Sequence, residues 1–195
     1  MLKAPVPGTV KTRLAADLGA ERACSIYRGL VERQVTNIPT AWDVEVCFAP
    51  NSAHEVMREW LGNPYRYVEQ SDGDLGNRMA TAVWRNLEAG RKSVILLGGD
   101  CPYADNKILE QCDKLLSKSE VVLGPSLDGG YYLMALKRFV PDFFEDMVWS
   151  TETVFAETMR RAEKNGIIPG LLPCLEDVDD VVSWEKAERS LGLDF

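Results

Sequence analysis

The chain has 195 residues, 46% of them hydrophobic, which is enough for a full core, and it carries a net charge of −8 at pH 7. That charge excludes nonspecific binding to nucleic acid or to an anionic membrane, and any anionic small molecule needs a local basic pocket. The five cysteines form an odd, scattered set without a CxxC pair, which excludes a disulfide framework and a paired-cysteine zinc site.

Lys3 to Leu14 reads KAPVPGTVKTRL, a Pro- and Gly-punctuated turn around Gly8 that leads into Lys11, Thr12 and Arg13, where an amphipathic helix starts. Gly lets the backbone approach a ligand closely. A helix start offers free N–H groups and positive potential. Lys11 and Arg13 add two positive charges, and Arg grips phosphate bidentately. The segment therefore suits a diphosphate; the plainer alternative is a surface turn with a solvated basic helix start.

Helical spacing of Ala23, Ile26, Tyr27, Leu30, Val31 and Val35 predicts a helix over Ala20 to Ile38. Val44, Val46 and Phe48 alternate as a strand, and Val56, Met57, Trp60 and Leu61 mark a short helix that carries the lone His54. A brief strand follows near Tyr65 to Val68, then a helix marked by Leu75, Met79, Val83 and Leu87. Ser93 to Gly99 is a continuous apolar run and is expected to be a central parallel strand buried on both faces. Ile108, Leu109, Cys112, Leu115 and Leu116 stripe another helix, and strands follow at Val121 to Leu123 and Tyr131 to Leu136. A helix over Thr151 to Asn165 stops at Gly166; a strand near Ile168 to Leu172 and a helix over Asp180 to Leu191 complete the chain. The alternation predicts one α/β domain over residues 1–195, with a mixed, mostly parallel sheet flanked by helices. No apolar run spans a bilayer and no signal peptide is read, so a cytoplasmic protein with reduced thiols is expected.

In such folds ligands sit at the carboxyl ends of strands, so residues just after apolar strands become candidates. Asp100, in LLGGDCP, is placed there to hold a hard divalent cation; the alternative is a helix cap, for which Asp105 is better placed. Asp128, in LGPSLDGGYYLMAL, reads alone as a hairpin turn, or beside Asp100 as a metal ligand or acceptor base. In QSDGDLGNRM, Asp74 reads as an N-cap, and Arg78 reaches either a phosphate or a nearby carboxylate. Ser150 or Thr151 is expected to cap the next helix, with Trp149 in the core or serving as a platform for a sugar or base. The run Glu176, Asp177, Asp179 and Asp180 reads as a solvated loop and helix cap, with a metal role as the lesser alternative.

Together KAPVPGTVKTRL, DGDLGNRM, GGDCP, GPSLDGGYYLMAL, WSTET and LEDVDD resemble a bacterial family of glycosyltransferase-like proteins with the nucleotide-diphospho-sugar transferase (GT-A) fold, some members of which are linked to arsenosugar biosynthesis. The resemblance runs in order over nearly the whole chain. It implies a Rossmann-like sheet and a nucleotide held by the first loop, here Gly8, Lys11 and Arg13, with Thr12 and Arg78 as further candidates. It also implies Mg²⁺ or Mn²⁺ near Asp100. More distantly the chain is similar to molybdenum-cofactor and phospholactate guanylyltransferases, which use a related basic loop and a GDxP-like aspartate. Two departures stand out. Only Met1 and Leu2 precede Lys3, so the family's apolar first strand is expected to be shortened. GGDCP lacks the second acid of the DxD found in many glycosyltransferases. The expected activity is metal-assisted transfer of a sugar from a nucleotide diphosphate to a small acceptor, with Asp128 on the acceptor side. Nucleotidyl transfer to a phosphorylated metabolite, and nucleotide binding without turnover, are the alternatives.

Overall fold

The computed structural model describes residues 1–195. In chain order the elements are β1 (Leu2–Lys3), α1 (Thr12–Leu18), α2 (Ala20–Thr36), β2 (Glu45–Ala49), α3 (His54–Leu61), β3 (Arg66–Glu69), α4 (Leu75–Glu88) and β4 (Val94–Leu97). They continue with α5 (Asn106–Leu116), β5 (Val121–Pro125), β6 (Tyr131–Leu136), α6 (Val154–Lys164), β7 (Gly170–Leu171) and α7 (Val181–Leu191). Each strand and helix expected from periodicity is present. The chain forms two compact units, one of Met1–Glu69, Gly99–Asn106 and Glu176–Phe195, the other of Gln70–Gly98 and Lys107–Leu175.

The first unit carries a parallel sheet of order β1-β2-β3, with Leu2 opposite Phe48 and Val46 opposite Tyr67. In the middle strand Val46, Cys47 and Phe48 are all buried, because both faces of β2 are covered. Helix α2 serves two cores. Cys24, Tyr27 and Val31 join Leu2, Val10, Phe48 and Met57, while Ala23, Ile26 and Leu30 join Leu14, Val178, Trp184 and Ala187. Helix α7 starts at a capping box: the Asp180 carboxylate accepts from Ser183 N at 2.9 Å, and Ser183 Oγ accepts from Asp180 N at 3.1 Å.

The second unit carries a mixed sheet of order β4-β6-β5-β7. Strand β6 runs antiparallel to both β4 and β5, and β5 runs parallel to β7. This corrects the expectation for the Ser93–Gly99 run. Strand β4 stands at the end of its sheet's order, and only Leu96 of Val94–Leu97 is buried. The strands flanked on both sides are β6 and β5, and Tyr132–Leu136 of β6 and Val121–Leu123 of β5 are all buried. The short Ser126–Gly130 turn joins β5 to β6, and so tight a connection imposes an antiparallel pair.

Helix starts differ in whether a side chain caps them. Asp74 caps α4 as expected, accepting from Asn77 N at 2.8 Å. Neither Ser150 nor Thr151 caps α6, however: the helix begins at Val154 after Thr153, with no side-chain cap. Ser150 takes a left-handed φ of 62°, and Thr151 Oγ1 donates back to Val148 O at 2.9 Å, so this hydroxyl closes the preceding turn instead. At the far end of α6, Gly166 N donates to Glu163 O and Ile167 N to Ala162 O, as the stop signal predicted.

Candidate functional site

The loop leaving β1 is tied down at its base. Ala4 N donates to Ala49 O at 2.8 Å, continuing the pairing with β2. The Tyr27 hydroxyl donates to Lys3 O and accepts from Lys3 N, both at 3.0 Å. Burial pushes the Tyr27 phenol up from its ordinary pKa, so it stays a neutral donor. Farther along, Thr9 N and Oγ1 both donate to Val6 O, at 3.0 and 2.8 Å. Gly8 sits at φ 82°, a conformation that disfavours any side chain although the space beside it is open. Val10 is buried and anchors the far end.

Lys11 follows in the left-handed region, at φ 46° and ψ 49°, and is the N-cap of α1; its carbonyl accepts from Ala15 N. A residue with a Cβ is uncommon there, and its side chain shows what holds it. Nζ donates to Asp100 Oδ2 at 3.0 Å and to Asp179 Oδ1 at 3.3 Å, with only 6% of the side chain exposed. Arg13 Nη1 approaches Asp179 Oδ2 at 3.7 Å, with 80% of its side chain exposed. Thr12 opens α1 and is exposed.

Two features deliver the carboxylates. Gly99 is buried, and a Cβ there would fall 2.6 Å from Leu2 Cδ2 and 3.0 Å from Val31 Cγ2, so only glycine lets the backbone before Asp100 lie this close. The acidic segment is stitched alongside: Val178 N donates to Asp100 O at 2.9 Å, and Cys101 Sγ donates to Glu176 O at 3.6 Å. Within that run the acids divide their work. Glu176 pairs with Lys186, and Asp180 caps α7, where the Ser183 backbone N–H holds its carboxyl below the usual range. Asp179 precedes the cap, whose own backbone is extended, and turns to Lys11. The sequence does not single out Asp179 within the acidic run. The available signal was its neighbour: where Asp180 is the cap, alternation along an extended segment sends Asp179 the other way.

Lys11, Arg13 and Asp100 thus meet, with Asp179 added. The other candidates lie in the second unit. Asp128 is exposed, and its Oδ1 accepts from Gly130 N at 2.9 Å and from the Ser126 hydroxyl, so it organises the β5–β6 turn. Arg78 Nε donates to the Gly73 carbonyl at 3.0 Å rather than to a carboxylate, closing the loop before α4. Trp149 packs where a Cβ on Gly76 would lie 2.3 Å from its Nε1, and it meets Tyr131 edge-on with ring centroids 6.4 Å apart.

No group of three or more His, Cys, Asp or Glu side chains is placed to hold a metal ion. The Asp100 and Asp179 carboxylates, 40% and 45% exposed and already sharing one cation, are hard oxygen donors. Mg²⁺ and its like keep several waters and take one or two carboxylates plus substrate phosphates rather than a full protein cage. The pair fits that requirement.

Residues 34–151 match a family described as an uncharacterized protein conserved in bacteria, DUF2064. The chain belongs to this family. The matched stretch includes Arg78, Asp100 and Asp128. No curated protein matches the chain. Among solved structures, a "putative nucleotide-diphospho-sugar transferase" from Desulfovibrio desulfuricans G20 is 29% identical, with a TM-score of 0.92 over 97% of this chain and 85% of that one. The 4-diphosphocytidyl-2C-methyl-D-erythritol synthase of Anaerococcus prevotii is 12% identical, with a TM-score of 0.60 over 98% of this chain and 96% of its own. Rv0371c of Mycobacterium tuberculosis, in complex with manganese, is 14% identical, with a TM-score of 0.60 over 97% and 96%. The DUF2064 chain therefore has the nucleotide-diphospho-sugar transferase fold, and the last two likenesses bear on fold alone.

Proposed function

We propose that the protein is a transferase that takes a sugar from a nucleotide diphosphate and gives it to a small acceptor. The observation that carries this reading is the Lys11 ammonium, buried at the foot of the glycine-containing loop and shared by Asp100 and Asp179. An acidic protein that buries one lysine between two half-exposed carboxylates, with Arg13 beside them, has a site for a cation and a phosphate chain together. Gly8, Lys11, Thr12 and Arg13 are assigned to the diphosphate. Arg78, whose Nη groups are not used by its bond to Gly73, is assigned to a phosphate. Asp100 and Asp179 are the residues that would hold Mg²⁺ or Mn²⁺. When bound, that ion supplies electrostatic stabilisation of the charge on the leaving diphosphate. Asp128 is assigned to the acceptor through Oδ2, since Oδ1 is engaged in the turn.

The likeness to the Desulfovibrio desulfuricans protein supports sugar transfer. A second reading, nucleotidyl transfer from a nucleoside triphosphate, is favoured by one feature of the site: GGDCP presents Asp100 without a DxD partner, as in the GDxP aspartate of guanylyltransferases.

The experiment is a thermal-shift panel of nucleotides and sugar nucleotides with and without Mn²⁺, followed by product analysis of each stabilising ligand. A ligand at a hundredfold excess over its Kd adds about 2.7 kcal/mol of stability. Release of a nucleoside diphosphate from a sugar nucleotide is expected. Pyrophosphate from a triphosphate selects the second reading. No stabilisation by any nucleotide, with or without metal, rejects both.

A further inference from the structure

We propose that Lys11 is a built-in counter-cation of the Asp100–Asp179 pair, displaced when a divalent cation arrives, so that metal and nucleotide bind cooperatively; this rests on the nucleotide-dependent reading above. The ammonium lies 3.0 Å from Asp100 Oδ2 and 3.3 Å from Asp179 Oδ1, bridging two acids that are far apart in the chain. Without a cation between them these like charges repel. The lysine side chain is 6% exposed while the carboxylates are 40% and 45% exposed. An ion coming from solvent therefore meets open carboxylate oxygens before it meets the ammonium.

One monovalent ammonium leaves the trio with a net negative charge, whereas a divalent ion neutralises both acids. The ammonium then swings out on its flexible stem and needs an anion. Arg13, the other cation at Asp179, is already in solvent and offers it none. A diphosphate offers one. A divalent ion alone leaves the ammonium without an anion, and a diphosphate alone draws the ammonium away from two carboxylates; together they give each of these charges a partner. By linkage the metal tightens the nucleotide by the same factor as the nucleotide tightens the metal.

The test measures Mn²⁺ binding without nucleotide, from the resonance of the free ion, in wild type, Lys11→Met and Lys11→Arg. Lys11→Met should bind Mn²⁺ tighter by roughly tenfold, within the range usual for coupled sites. Lys11→Arg, which keeps the positive charge, should stay near wild type. Asp179→Asn should abolish the binding in both the wild-type and Lys11→Met backgrounds. A second measurement needs only wild-type protein: the Lys11 ammonium resonance, assigned by its loss in Lys11→Arg, should move when Mg²⁺ saturates the site. The proposal is overturned if Lys11→Met binds Mn²⁺ no tighter than wild type, or if the Lys11 resonance ignores saturating Mg²⁺. It is also overturned if Mn²⁺ binds none of these proteins. In that case nucleotide-induced stabilisation without metal decides separately whether the transferase reading survives.

Discussion

Lys11 keeps 6% of its side chain exposed and Arg13 80%, although both carry a full charge and both face Asp179. The difference sets what each contributes. An exposed pair at 3.7 Å adds about 0–1 kcal/mol to folding. Arg13→Gln should therefore leave the denaturant midpoint nearly unchanged. The same change removes a charged donor from the proposed diphosphate site, and nucleotide affinity should fall by about 1.5–3 kcal/mol. Calorimetric titration beside a urea melt reads both quantities. A variant that loses stability but not nucleotide affinity would show Arg13 to be structural only.

At the scale of the element, β1 has two residues and depends on its neighbours. Tyr27 reaches from α2 to satisfy both backbone groups of Lys3. Tyr27→Phe should cost about 1–3 kcal/mol, because two backbone partners lose their bond at once. Equilibrium unfolding in urea measures it, and an unchanged midpoint would mean that water replaces the hydroxyl at no cost. Helix α6 offers a pH-dependent contribution. Arg160 first, then Arg161, hold the Glu157 carboxyl down to about 2 from its ordinary 4.5. A carboxyl lowered in the folded state stabilises it fully above the unfolded value, and this is lost as pH falls through the folded one. Stability should thus decline between about pH 4.5 and pH 2, with Asp142, also lowered, adding to the slope. Glu157→Gln should flatten that decline; a wild-type slope in the variant would locate the acid sensitivity elsewhere. Arg161 also donates to the carbonyls of Asp142, Glu145 and Asp146, so it closes the turn before α6 as well as pairing with Glu157.

For the whole molecule, no helix is long and apolar enough to cross a membrane, and all five cysteines are free. Cys24, Cys47, Cys101 and Cys112 are buried, and Cys174 is exposed. Burial pushes the Cys112 thiol up to about 12 and raises Cys101 as well, so these thiols carry almost no thiolate near neutrality. A thiol reagent should modify one cysteine quickly in the native protein and all five after unfolding. Rapid native modification of a second would show that a buried thiol is accessible through local opening.

The existence and kind of each strand and helix were legible in the sequence, because periodicity is a local record of which side chains are buried. The basic loop and the strand-end Asp100 were legible for a similar reason: Gly, Lys, Arg and Asp in that order announce their chemistry before their geometry. Sheet order was not. SVILLGG and YYLMAL are both apolar runs, and a run reports burial without naming its neighbours; the tight turn from β5 put β6 between two strands and β4 at the end. Nor was the partner of Lys11. Asp179 lies 168 residues away and comes to it because Val178 and Glu176 are tied to the backbone and thiol of residues 100 and 101. The sequence by itself determined the elements and the charges carried by the first loop and the strand ends. Only the tertiary structure decided which carboxylates share the buried ammonium, because such a meeting depends on the path of the whole chain and not on any window of it.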